Sequence, residues 1–282
     1  MNSALVNKII PFSAVDGPGN RTAIFLQGCN FSCKYCHNPE TMHVCLNCGE
    51  CIKYCPTGAI SLVDGKVVYD YKKCCFCDSC FKHCPNNSSP RVRNMTAEEV
   101  MVEVKKNVPF IRGITVSGGE CTRWPKFLHE LMELAKNEKL SVLLDSNGTY
   151  DFIKDEENLL ENCAGVMLDI KAFGLKDHQA VTGVDNGMVI QNLKYLAEIG
   201  QLEEVRTVIV QGLFNTKETV DNVSKIIAPY LNKRSIRYKI ICYRPFGVQE
   251  EYKNTLKAPT KEELEEHASI ARNNGIKDVV II

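Results

Sequence analysis

The chain is expected to be an α/β protein: a partial, open barrel of about six parallel strands with helical crossovers, interrupted near its start by a small α+β module. Three observations predict this. After Met95, short β-rich runs alternate with amphipathic stretches, the rhythm of strand–helix–strand units in a parallel sheet. An apolar run, Arg21-Thr-Ala-Ile-Phe-Leu-Gln27, supplies one more buried strand ahead of the first cysteines. Between the two lie two near-copies of one cysteine pattern that fit neither period. Residues 1–40 are therefore the expected start of the barrel, 41–90 the insert and 91–282 the remainder.

In chain order, Asp16-Gly17-Pro18-Gly19 reads as a turn before the strand at 21–27, which delivers Gly28 and Cys29 at its C-terminal end. In the insert, Ala59 to Val68 reads as a hairpin turning at Asp64-Gly65. Thr96-Ala97-Glu98-Glu99 carries a helix N-cap and an acidic first turn. Strands are expected at 111–116, 141–145, 165–169, 204–210, 236–243 and 277–282. Helices are expected at 96–107, 125–138, 189–199, 217–230 and 260–273. In such barrels reactive groups sit at the C-terminal ends of strands, and the polar motifs fall there.

Composition narrows the function. The 282 residues suffice for a substantial core, with ordinary hydrophobic (44%) and charged (24%) content. Lys+Arg and Asp+Glu both number 34, which argues against nucleic acid or an anionic membrane as a general partner. No apolar run is long enough to span a bilayer, and Met1 to Lys8 lacks the layout of a signal peptide; a cytoplasmic protein is expected. The 15 cysteines are an odd number, and without a secretion signal such density points to metal ligands rather than disulfides. Cys121, Cys163 and Cys242 lie apart from the crowd between Cys29 and Cys84.

Cys29-x3-Cys33-x2-Cys36 places three thiolates where they can hold three corners of a 4Fe–4S cube and leave one iron open for chemistry. A structural zinc site completed by His37 is the alternative. Cys45, Cys48, Cys51 and Cys55-Pro56 form one C-x2-C-x2-C-x3-C-P run, and Cys74, Cys77, Cys80 and Cys84-Pro85 the other. This is the bacterial two-cluster ferredoxin pattern, in which the fourth cysteine of each run serves the other cluster. One cluster is thus expected on Cys45, Cys48, Cys51 and Cys84, and another on Cys74, Cys77, Cys80 and Cys55; two zinc ribbons are the alternative. Such clusters reach potentials of roughly −700 mV and serve as a wire or a docking surface. Cys75 is surplus and reads as a spare thiol.

Four strand ends carry polar groups. Ser117-Gly118-Gly119-Glu120 follows the strand at 111–116, and its glycines let backbone approach a ligand or simply make a turn. Asp145-Ser146-Asn147-Gly148 ends the strand at 141–145 and also fits a plain Asn-Gly turn. Asp169-Ile170-Lys171 puts an acid and a base on one side; a solvated ion pair, worth little, is the alternative. Arg206 lies among Val205, Val208, Ile209 and Val210 and needs a partner, either at the barrel mouth or in a structural salt bridge.

Val15-Asp16-Gly17-Pro18-Gly19, Phe25-Leu26-Gln27-Gly28-Cys29 and Cys36-His37-Asn38-Pro39-Glu40 together carry a family resemblance. Over essentially its whole length the chain resembles radical S-adenosylmethionine (SAM) enzymes, and within them the glycyl-radical-enzyme activases, the YjjW type in particular. The resemblance implies a radical SAM barrel with an inserted ferredoxin-like domain, three 4Fe–4S clusters, and SAM bound beside Tyr35, Cys36 and His37. It implies that Ser117, Gly118, Gly119 and Glu120 hold the methionine amino group. Ser146 and Asn147 join the co-substrate bed, and Asp145, Ser146, Met167 and Asp169 surround a monovalent cation, Na+ or K+. Asp169, Ile170 and Lys171 lie at the ribose and carboxylate, and Arg206 at the mouth. Arg244 stands where many activases carry His and is expected to stack on adenine. Cys121 replaces the family's usual proline, and His178 is expected by a target-peptide groove or on the surface.

The implied reaction is one-electron cleavage of SAM to methionine and a 5′-deoxyadenosyl radical, which takes hydrogen from a glycine Cα of a partner. That partner is expected to be a YjjI-like glycyl radical enzyme, the electron donor a flavodoxin or ferredoxin, and the activase a monomer. Two other classes remain at this point: a radical SAM enzyme acting on a small molecule or peptide side chain, and a plain electron-transfer module.

Overall fold

The computed structural model describes residues 2–282. Its strands are β1 (Ser3–Ser13), β2 (Arg21–Leu26), β3 (Ile60–Val63), β4 (Lys66–Tyr69), β5 (Arg93–Thr96), β6 (Gly113–Gly118), β7 (Ser141–Ser146), β8 (Gly165–Asp169), β9 (Leu202–Ile209), β10 (Arg237–Cys242) and β11 (Val279–Ile281). Nine of them form one open sheet in the order β11-β10-β9-β8-β7-β6-β2-β1-β5. All pairs from β2 to β11 are parallel, while β1 and β5 extend one edge antiparallel. The parallel stretch holds seven strands, one for each expected range from 21–27 to 277–282, rather than about six.

Every residue of β2 is buried, as a strand covered on both faces must be. The helix Pro125–Asn137 turns Phe127, Leu128, Leu131, Met132 and Ala135 into the core, an apolar stripe at helical spacing. Burying each large side chain of such a stripe stabilises the fold by about 1.5–3 kcal/mol. Capping boxes start the helices Ala97–Lys105, through Thr96 and Glu99, and Lys261–Asn273, through Thr260 and Glu263.

β1, β5 and the helix Leu175–Thr182 were not expected, nor were the one-turn helices Ser79–Lys82, Leu159–Asn162 and Glu250–Lys253. β1 carries Asn7-Lys8 and Pro11, and its register slips twice against β2, which blurs any two-residue period. The helix Leu175–Thr182 is polar at its start and ends in Val181-Thr182 before left-handed Gly183.

The insert contains the hairpin β3–β4, whose turn at Asp64-Gly65 has both φ angles positive (49° and 72°). Short helical turns follow at Ile52–Tyr54 and Ser79–Lys82. Its core cluster is Cys51, Ile60 and Cys80 with Ile52, Cys55, Val67 and Tyr69 packed against them, too small to hold a fold of this length by burial alone. Backbone bridging of His43 with Ser88 and the Ser89 N–H to Glu40 O bond (3.0 Å) join its base to the barrel. No helix among the described residues is long and apolar enough to cross a membrane.

Candidate active site

The loop after β2 is held from two sides. Gly28 N and Cys29 N donate to Thr41 O (2.8 Å) and Met42 O (2.7 Å), and Ser32 N and Lys34 N donate to Thr182 O (2.9 Å) and Val181 O (3.1 Å). Gln27 adds a side-chain clamp, its Nε2 donating to Glu40 O (2.7 Å) and His43 O (2.6 Å). Cys29, Cys33 and Cys36 thereby line one cavity of about 280 Å³ at the C-terminal ends of the strands, together with Tyr35, His37, Ser117 to Glu120, Asp145 to Asn147, Asp169, Lys171 and Arg206. Sequence reasoning had not placed Asp16, Phe25, Phe31, Asn38, Thr41, Met42, Val208 or Ile241 there. The two-residue period from Arg206 was the available signal for Val208.

The thiols suit a multi-iron group. Among the described residues no three His, Cys, Asp or Glu side chains converge as a single metal ion requires; the three thiols instead border a void. Burial, then the nearby Glu120 charge, pushes Cys29 up to about 11. Burial pushes Cys36 up to about 12 and Cys33 higher still. The free loop therefore holds neutral thiols, and a cationic metal group must supply the charge that makes them thiolates. Two N–H groups already point at Cys29 Sγ, from Phe31 N (3.4 Å) and Asn147 Nδ2 (3.7 Å).

The two glycines after β6 have a reason beyond ligand approach. A Cβ on Gly119 would lie 2.3 Å from Gly28 O and 2.7 Å from Thr41 O, and one on Gly118 would lie 2.2 Å from Leu26 N. Backbone packs directly on the cysteine loop here, and only glycine permits it. Glu120, 1% exposed, accepts from Thr122 N (3.1 Å), Thr122 Oγ1 (2.6 Å), Ser146 Oγ (2.9 Å) and Asn147 N (2.6 Å). Burial still holds its carboxyl above the ordinary value. The acid thus ties the end of β6 to the end of β7.

Asp145 Oδ2 accepts from Ser117 Oγ (2.8 Å) and pairs with Arg206 Nη1 (2.8 Å), while its buried Oδ1 has no partner. Burial raises the Asp145 pKa against the pull of Arg206. Arg206 combines both expected roles: it lines the cavity and also bonds Glu204 through Nε (2.5 Å) and Met167 Sδ through Nη2 (3.1 Å). Asp169 and Lys171 form a 2.7 Å pair that is largely buried rather than solvated. Burial pushes Asp169 up, but Lys171 and Arg206 outweigh it and keep the carboxyl below its usual range. Burial alone lowers Lys171, and Asp169 with Cys33 more than reverses this.

Several expectations need correction. Of the four residues expected around a monovalent cation, Asp145 and Met167 face the Arg206 guanidinium, Ser146 Oγ donates to Glu120, and Asp169 pairs with Lys171. Arg206 provides the positive charge between them. Ile170 is buried in the core and does not line the cavity. The Arg244 side chain is exposed and outside it; Arg244 contributes its carbonyl, 3.0 Å from His37 Nε2. His178 is neither on a groove nor on the surface: it is fully buried, edge-on to Phe31 (5.3 Å between ring centres). Cys121 is buried with its thiol 3.4 Å from Asp145 O.

In the insert, Cys55, Cys74, Cys77 and Cys80 line one small void, with Cys75 and Arg91 also on its wall. Asn86 Nδ2 donates to Val44 O (3.1 Å), which brings the end of the second run beside the start of the first.

The sequence signature of the Radical SAM superfamily matches residues 23–226. The chain belongs to the radical SAM superfamily. The family uses a 4Fe–4S cluster and SAM. This radical SAM enzyme is 31% identical over 268 residues to the (2S)-3-sulfopropanediol sulfolyase activating enzyme of Bilophila wadsworthia, covering 87% of this chain and 86% of that one. It is 29% identical over 296 residues to the trans-4-hydroxy-L-proline dehydratase activating enzyme of Clostridioides difficile, covering 94% and 95%. Its fold is similar to the crystal structure of QueE from Escherichia coli, with a TM-score of 0.53 at 11% identity over 99% of this chain and 94% of that one.

Proposed function

We propose that this radical SAM enzyme activates a partner glycyl radical enzyme by removing hydrogen from one of its glycine Cα atoms. The observation that carries this is the single cavity uniting the Cys29–Cys36 thiols with the charged ends of β6 to β9, in a chain whose named relatives are activating enzymes along nearly its full length. When bound, the cluster supplies the electron for reductive cleavage of SAM. The protein's own part is positioning and exclusion of water. Cys29, Cys33 and Cys36 hold three irons, and the N–H groups of Phe31 and Asn147 stabilise charge on Cys29 sulfur. Lys171 and Arg206 offer positive charge to the SAM carboxylate. Glu120 keeps Ser146 and Asn147 at the cavity wall.

The insert completes the proposal with two further clusters, on Cys45, Cys48, Cys51 and Cys84 and on Cys55, Cys74, Cys77 and Cys80. They relay electrons from a flavodoxin or ferredoxin. A YjjI-like glycyl radical enzyme is the partner, met transiently by a monomeric activase. Glycine is the suitable target because it has no side chain to block entry. The experiment is isotopic: with a partner carrying deuterated glycine, deuterium should enter the 5′-deoxyadenosine formed from SAM. Cleavage of SAM with no deuterium transfer would sink the proposal.

A further inference from the structure

Beyond the cavity wall, β9 and β10 bury a second layer of charge. Glu204 and Arg206 lie two apart on β9 and so share a face, and their register partners on β10 are Arg237 and Lys239. Val208 and Ile241, next in the same two-residue series, line the cavity, so this face is the barrel lumen. Glu204 is 1% exposed and does not itself line the cavity. Its Oε1 meets Arg206 Nε at 2.5 Å and Lys239 Nζ at 2.9 Å. Its Oε2 lacks a hydrogen-bond partner, with Arg237 Nη1 3.8 Å away.

A carboxylate buried this deeply is weak evidence for stability, since desolvation offsets most of the attraction. Its geometric effect is specific. A guanidinium carries five N–H donors in a rigid fork. Glu204 and Met167 take one each, from Nε and Nη2, and Asp145 forms an ion pair with Nη1. The fork is fixed on three sides, and its remaining N–H groups are left for a ligand in the cavity. A long arginine side chain has rotamer freedom to lose on binding; here Glu204 removes that freedom beforehand. Lys239 neutralises Glu204 from the far side, so the Arg206 charge is not cancelled twice.

We propose that Glu204 is a positioning residue that, with Lys239 behind it, aims Arg206 at hydrogen-bond acceptors of SAM. This rests on the reading of the cavity as the SAM site.

The test is equilibrium binding of SAM to anaerobic, cluster-loaded protein, alongside KM and kcat for SAM cleavage. Glu204→Asp keeps the charge beside Lys239 but withdraws the acceptor from Arg206. The pair Glu204→Leu/Lys239→Met removes acceptor and cation together. Both should weaken SAM binding about tenfold or more, the size expected for one lost charged hydrogen bond, with KM rising and kcat nearly unchanged. Glu204→Gln/Lys239→Met retains a neutral acceptor for Arg206 Nε and should stay within about threefold of the parent. Parent-like affinity in folded Glu204→Leu/Lys239→Met overturns the proposal. If that variant does not fold, parent-like affinity in Glu204→Asp overturns it equally. A lower active fraction at unchanged KM would mean a merely structural Glu204. A parent protein that fails to bind SAM would overturn the SAM-site reading itself, and this role with it.

Discussion

Glu120 accepts four hydrogen bonds, two from Thr122 and one each from Ser146 and Asn147. The sequence singled it out as a charge partner for a ligand, but its bonds to β7 come from residues 26 and 27 positions away, which no local pattern shows. Glu120→Gln would set an amide N–H2 against donors only. It should cost about 1–3 kcal/mol of stability and weaken SAM binding, both readable by thermal melting and ligand titration. Replacing Cys29, Cys33 or Cys36 with Ser should abolish SAM cleavage and lower bound iron by about four per chain; retained cleavage would remove the loop from the chemistry. His178 makes a pH-dependent contribution. Burial, then the Lys171 charge, lowers its pKa against the Ala172 carbonyl. The unfolded chain therefore takes up its proton first as pH falls, so stability present above about 6.5 is lost progressively below it. Between pH 7 and 5 the melting temperature of His178→Gln should fall less than that of the parent; equal slopes would contradict this.

At the scale of elements, the expected parallel strands and five long helices appear within a few residues of their expected places, because each carries its own hydrophobic period. β1 and β5 were illegible because their stability comes from pairing across the chain, Ala4 with Met95 for example. The helix Leu175–Thr182 was illegible for a similar reason: its value lies in the carbonyls of Val181 and Thr182, which hold the cysteine loop. The Gly118-Gly119 pair was legible as a motif but not in its cause, since its neighbours are the backbones of β2 and the loop after it. Gly119→Ala should cost about 3 kcal/mol or more, beyond ordinary overpacking, and displace the cysteine loop, seen as lost iron uptake. Gly212→Ala, at a positive φ (73°) in open space, should cost only about 1–2 kcal/mol and leave iron uptake intact. Equal effects of the two would mean that the β6 end does not support the loop.

For the whole molecule, one fold carries two kinds of stability. The barrel has a continuous core from Ala4 to Ile276, whereas the insert's own core cluster is built on Cys51, Ile60 and Cys80, two of them cysteines. Its metal-free form should therefore be loose, and chelation should make residues 45–84 sensitive to protease while the barrel stays resistant. Filled protein should hold about twelve irons per chain; about four would remove the insert clusters. The paired runs that predict those clusters were legible from spacing alone, but their place beside the barrel depends on contacts such as the Ser89 N–H to Glu40 O bond.

The central claim, that the cavity makes a radical for another protein, has a direct measurement. The cluster-loaded enzyme is reduced anaerobically with SAM and a purified YjjI-like glycyl radical enzyme, and the mixture is read by electron paramagnetic resonance. The account predicts a glycyl doublet that appears with SAM consumption and vanishes in the Cys33→Ser variant. SAM consumption without any protein radical on that partner would contradict it.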